Sequence, residues 1–179
     1  MRKLYIAIIF SLIANYSFAD TSSDFSVIGT VTASSCSVVV GDKGARVVLP
    51  LQRMSALASA GDTAGETAFK LSVTGCAASG KNSIFIYFQN AQANINSAGR
   101  LLNTAAVASA ATNVELQILD HNKNLINLSS DKDSQKNVAL VKPSASAPAI
   151  FDFYVRYYAV GAATAGKVES TLTFLVESF

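Results

Sequence analysis

The sequence predicts an all-β sandwich of seven or eight short strands. Three observations carry that expectation. Apolar and polar residues alternate with period two in short runs from Phe25 to Val176. Glycine, proline, asparagine and small residues punctuate the gaps between those runs. No stretch sustains a heptad or a helical period. Period-two runs separated by turn signals are the mark of half-buried strands packed in two layers.

Each element follows from its own residues. Val47-Val48-Leu49 is a short β run halted by Pro50, which cannot donate to a ladder. Residues 54–65 are rich in Ala, Ser and Gly and read as a loop with room for one helical turn. Phe69, Leu71 and Val73 alternate towards Gly75-Cys76, and Ile84 to Phe88 is a dense β run. Val114, Leu116 and Ile118 alternate, and His121-Asn122-Lys123-Asn124 turns the chain before Leu125-Ile126. Val138 to Val141 is a further strand, broken by the stretch from Pro143 to Pro148. Phe151, Phe153, Val155 and Tyr157 share one face of a long strand. The small residues Gly161 to Gly166 turn it, and Leu172, Phe174 and Val176 form the last strand. The Ala-rich run Ala105 to Ala111, flanked by Asn103 and Asn113, reads as a surface loop rather than a helix.

The N-terminus sets the compartment. Met1-Arg2-Lys3 is a basic start, Leu4 to Ile13 is mostly apolar, and Ser17 and Ala19 are small. That pattern is a secretory signal over residues 1–19, too short in its apolar run to span a bilayer. Without Arg2 and Lys3, twelve basic residues face twelve acidic ones. A near-zero charge with no Lys/Arg cluster gives nucleic acid or an anionic membrane no footprint, and it favours association.

After the leader, Phe25, Val27, Gly29 and Val31 alternate with Ser26, Ile28 and Thr30. Glycine weakens a strand unless another backbone approaches closely there. Two readings stand: an ordinary strand of its own domain, or an arm exchanged between chains. Cys36 and Cys76 also admit alternatives. Export favours a disulfide, closing a loop of about 41 residues for roughly 4 kcal/mol on the chain-entropy estimate. The alternatives are a pair of free thiols or half a metal site, and for the metal the sequence has a single histidine, His121, to add to the four ligands a structural zinc needs. No Gly-x-Ser-x-Gly turn, Gly-rich phosphate loop or metal-ligand cluster points to an enzyme, a cofactor or a small-molecule substrate. Tyr87, Tyr154, Tyr157 and Tyr158 could line a carbohydrate site or simply pack across strands.

Taken in order, these segments resemble a known family. The chain carries a signal peptide and the alternating arm with Gly29. Val31-Thr32-Ala33-Ser34-Ser35-Cys36, Leu71-Ser72-Val73-Thr74-Gly75-Cys76 and Asn113 to Asp120 follow. Then come Phe151-x-Phe153-Tyr154-Val155-Arg156-Tyr157-Tyr158-Ala159 and a final strand led by Gly166. Together they resemble a pilin of the chaperone–usher fimbriae, closest to the type 1 major-pilin group, over essentially the whole mature chain.

The resemblance implies an immunoglobulin-like sandwich lacking its last strand, with a donor-strand arm at 20–31 and a pilin domain at 32–179. Phe25, Val27, Gly29 and Val31 would be the donor residues. Gly166, Leu172, Phe174, Val176 and Phe179 would belong to the acceptor and chaperone-contacting C-terminal strand. The implied partners are neighbouring pilin subunits, a periplasmic chaperone and an outer-membrane usher, with export through the periplasm to a surface fimbrium that supports adhesion. An open sheet edge is a template for an added strand. Burying Phe25, Val27 and Val31 there would contribute on the order of 5–8 kcal/mol. The alternative role is a minor, adaptor or glycan-binding tip subunit. The chain departs from the family at Ser178, where tyrosine is usual.

Overall fold

The alternating runs pair into two sheets in the computed structural model, which describes residues 23–31, 37–40, 46–74, 83–135, 140–141 and 148–178. The leader, Cys36, Cys76 and Phe179 lie outside the described residues. The strands are β1 (Ser23–Val31), β2 (Ser37–Val40), β3 (Arg46–Leu49), β4 (Thr63–Thr74), β5 (Ile84–Phe88) and β6 (Leu101–Leu102). They continue with β7 (Val114–Leu119), β8 (Leu125–Ile126), β9 (Leu140–Val141), β10 (Ala149–Ala159) and β11 (Glu169–Ser178). One sheet runs β3-β1-β11-β5-β9; the other runs β2-β4-β10-β7-β6, with β8 also on β7.

One core lies between the sheets. Along β10 the residues Phe151, Phe153, Val155, Tyr157 and Ala159 are buried, while Ile150 and Asp152 face solvent. Leu172, Phe174 and Val176 of β11 are fully buried in the facing sheet. Phe153 joins the layers: its ring stacks on Phe69 at 5.5 Å and meets Phe88 of the other sheet edge-on at 5.0 Å. Aromatic pairs at these separations add about 0.5–1.5 kcal/mol beyond the area they bury.

Two features of the turns fix how the long strands sit. Strand β4 begins at Thr63, inside the stretch that composition marks as loop, and only Met54–Leu57 makes a helical turn. The reason is a bulge. The β10–β4 register shifts between Val155 and Tyr157, and Gly65 at φ +66° lies where a Cβ would press on the Tyr157 ring. Gly166 precedes β11 with the opposite constraint. A Cβ there would overlap the backbone of Ala110 and Ala111, because the 105–111 loop is drawn against Lys167. Asn103 Nδ2 donates to the carbonyls of both Ala111 and Lys167 at 2.9 Å.

The short elements β6 and α1 (Lys132–Gln135) are not foreseen by periodicity, since two and four residues cannot show one. Helix α1 nevertheless completes the sheet. Beyond its two pairs with β9, the outer edge of β5 meets the Gln135 side chain: Phe88 N–H donates to Oε1 and Nε2 donates to the Phe88 carbonyl, both at 3.1 Å. Gln135 is buried, and its amide stands in for a strand. Gln135→Ala strands two buried backbone groups and should cost about 1–3 kcal/mol. Chemical denaturation of the purified protein measures it, with Lys132→Ala as a near-neutral control.

Candidate functional site: the edge of the last strand

Strand β11 has two edges, satisfied in different ways. On the first, Phe174 to Ser178 pair antiparallel with β5. The half of β11 nearer Gly166 has no strand on that side and is served by side chains and loop backbone instead. Thr173 N–H donates to Gln92 Oε1 at 3.0 Å, and Asn94 Nδ2 donates to the Thr171 carbonyl at 2.6 Å. Glu169 N–H donates to Asn103 Oδ1 at 2.9 Å, and Thr104 N–H donates to the Glu169 carbonyl at 2.7 Å. Backbone groups of a strand alternate between its edges. With Thr171 and Thr173 turned to the amides, those of Ser170, Leu172, Phe174 and Val176 face the second edge.

That second edge is occupied by β1. Eight pairs run in parallel register from Asp24 opposite Glu169 to Val31 opposite Val176. Val27 stands opposite Leu172 and Gly29 opposite Phe174. On its far side β1 pairs antiparallel with β3 over four residues, from Ser23 opposite Leu49 to Ser26 opposite Arg46. Strand β1 thus fills the gap between β11 and β3. Without it both strands would present unpaired N–H and C=O groups above a fully apolar row, a template for another strand.

The structure therefore brings the two groups of residues singled out by the sequence into one ladder: Phe25, Val27, Gly29 and Val31 lie along Ser170, Leu172, Phe174 and Val176. It does so within one chain. The segment read from sequence as an arm reaching for a neighbour is here an inner strand of its own sheet. Gly166 sits outside the ladder, at the turn into β11. Next to it a cleft of about 130 Å³ opens between Leu51, Met54, Leu57, Tyr157 and Val168.

The tyrosines do not converge. Tyr157 is buried, with its hydroxyl towards the Pro50 carbonyl. Tyr154 and Tyr158 lie on the outer face of β10, under Lys123 at 5.1 Å and Arg100 at 4.3 Å respectively. Tyr87 belongs to the other sheet. Near the far end of β11, Lys132 reaches Glu177 at 2.9 Å, and that carboxylate raises the Lys132 ammonium above the usual lysine range. The pair is solvent-exposed and contributes little to stability. Sequence reasoning missed Gln92, Asn94, Asn103 and Gln135, the amides that finish the sheet edges. Loop amides carry no periodicity, so no local signal separates them from ordinary surface residues.

The fold and this edge define the class: an immunoglobulin-like β-sandwich whose final strand position is filled by an N-terminal segment. The chain belongs to the fimbrial protein family, whose model, described as "Fimbrial protein", matches residues 25–178. It is 34% identical to the major fimbrial subunit SMF-1 of Stenotrophomonas maltophilia over 151 residues, covering 83% of this chain and 87% of that one. It is 32% identical to the F17 fimbrial protein of Escherichia coli, covering 83% and 82%. Identity to the minor fimbrial subunit HifD of Haemophilus influenzae is 30%, covering 82% and 69%. The protein is a fimbrial subunit of a pilus. Among the described residues no helix is long and apolar enough to cross a membrane.

Proposed function

We propose that this chain is a shaft subunit of a chaperone–usher fimbria and polymerises by donor-strand exchange. In this reading, the arm at 20–31 of one subunit lies between β11 and β3 of the next. The observation that carries it is the β11 edge: a fully buried apolar row whose second strand partner comes from the N-terminal segment rather than from a hairpin. A strand attached only at one end can be traded for the same strand of another copy without unfolding the rest. Main-chain pairing supplies the affinity and the alternating residues supply the fit. The role is structural rather than catalytic. Before assembly a periplasmic chaperone protects the edge, and an outer-membrane usher then passes subunits to the surface. The major subunit SMF-1 is matched over more of its length than the minor subunit HifD, 87% against 69%, which favours the shaft over an adaptor or tip position.

The test is biochemical. A tagged mature chain, co-expressed in a periplasm with a fimbrial chaperone, should be recovered as a one-to-one complex. Freed from the chaperone at high concentration, it should form fibres visible by electron microscopy. A subunit that purifies alone and forms no fibres at any concentration would overturn the proposal.

The same reading keeps the Cys36–Cys76 disulfide. Support comes from the register of the flanking strands: Ser37 pairs with Thr74, Cys36 directly precedes Ser37, and Cys76 lies two residues past Thr74. Mass spectrometry of the unreduced protein should find no free thiol. Two free thiols would remove the bridge, and with it the roughly 4 kcal/mol expected of it.

A further inference from the structure

We propose that the end of the sandwich around Gly166 is the face on which the body of a neighbouring pilin subunit seats in the fibre; the inference rests on the exchange reading above. Three loops meet there. Residues 160–166 form the middle one and are bonded to both others. Ala163 N–H donates to the Leu57 carbonyl at 3.0 Å, and Thr112 N–H donates to Thr164 Oγ1 at 2.9 Å. Residues 54–61 lie on one side and 104–112 on the other, and none of the three segments contains a charged residue. The charges nearest in sequence, Arg53, Asp62 and Lys167, stand at their borders. An ordinary protein surface carries charge throughout, whereas the centre of a protein–protein contact is depleted of it and rimmed by polar groups.

Apolar side chains project from this end. Val107 is 96% exposed, in a turn where the N–H groups of Ser109 and Ala110 both donate to the Ala106 carbonyl. Leu51 and Met54, 55% and 54% exposed, border the cleft whose lining includes the buried Leu57, Val114 and Val168. A lone exposed apolar residue needs no explanation. A group of them on uncharged ground, beside an apolar cleft, marks an interaction surface.

The topology names the occupant. Strand β4 runs the length of the body: Thr63 pairs with Tyr158 close to Gly161, and Thr74 pairs with Ser37 at the other end. The chain's own arm therefore joins the body at the end away from Gly166. A subunit that gives this arm to one neighbour has that neighbour at the Ser37 end. In a fibre linked one subunit to the next, the second neighbour lies at the Gly166 end, because two bodies cannot share one end. The strand-accepting gap opens there as well. Leu51 and Val168, both in the cleft wall, continue β3 and precede β11, the two strands that flank the gap. The body of the subunit that donates its arm thus seats on this end and covers Leu51, Met54 and Val107.

Met54 is a built-in probe, since Met1 is the only other methionine. In a brief peroxide pulse read by peptide mass spectrometry, Met54 sulfoxide should form roughly tenfold more slowly in wild-type fibres than in subunit freshly released from the chaperone. Val107→Lys and Val107→Glu should each reduce fibre yield severalfold, because either charge would be buried in the contact. The chaperone complex and the thermal melt of both variants should stay at the wild-type level, since Val107 is almost fully exposed in the subunit. Wild-type fibres in which Met54 oxidises at the unassembled rate would overturn this contact and leave the exchange reading standing. So would normal polymerisation of both Val107 variants. Wild-type protein that forms no fibres would overturn the exchange reading and this contact with it.

Discussion

Replacing Gly29 by asparagine should abolish fibres. Gly29 stands opposite the fully buried Phe174 as the sixth of the eight pairs in the β1–β11 ladder. In the exchange reading, a larger residue at that register displaces its neighbours or parts the strands. Overpacking of this kind typically costs about 1–3 kcal/mol, and each ladder bond lost adds about 1 kcal/mol. The penalty falls on every junction of a polymer, so a modest cost per subunit ends growth. A chaperone supplying its own strand to β11 does not use Gly29, so the chaperone complex should form at the wild-type level. The check is electron microscopy of fibres alongside the yield of that complex. Normal fibres from Gly29→Asn would remove the arm from the junction.

Deleting Asp20 to Ile28 should have the larger effect. The deletion removes the β1 residues that pair with Glu169 to Thr173 and all four that pair with β3. It leaves Leu172 and much of the apolar row without cover. A domain of this size is stable by only 5–15 kcal/mol, and the arm's burial is on the order of 5–8 kcal/mol. Expressed without a chaperone, the deleted chain should aggregate or be degraded. Thermal denaturation and size-exclusion chromatography of any soluble fraction check this. A wild-type-like cooperative melt would show that the sandwich is complete without β1.

Much of this site is legible in the residues because a strand's period shows on both partners. The alternation of Leu172, Phe174 and Val176 survives as a buried row, and that of Phe25 to Val31 as the strand lying beside it. What alternation cannot tell is whose β11 the arm meets, since an intrachain and an interchain ladder use the same residues. Strand polarity is equally silent, because reversing a period-two pattern leaves it unchanged. The amides of Gln92, Asn94 and Gln135 were invisible for another reason. Their roles come from three-dimensional placement beside strand edges, between 47 and 81 residues away in sequence. The start of β4 at Thr63 was hidden by composition, because the residues that fit a bulge beside Tyr157 are the same small ones that mark loops.

The most direct measurement of the central claim offers the arm back to the domain that lacks it. The chain deleted of Asp20 to Ile28 is refolded with a synthetic peptide of residues 20–33, and native mass spectrometry reads what binds. The peptide should be held one-to-one, should restore a soluble monomer with a cooperative melt, and should fail to do either when it carries Gly29→Asn. A deleted chain that folds alone, or that ignores the wild-type peptide, would contradict the assignment of the β11–β3 gap as the strand-accepting site of this pilin.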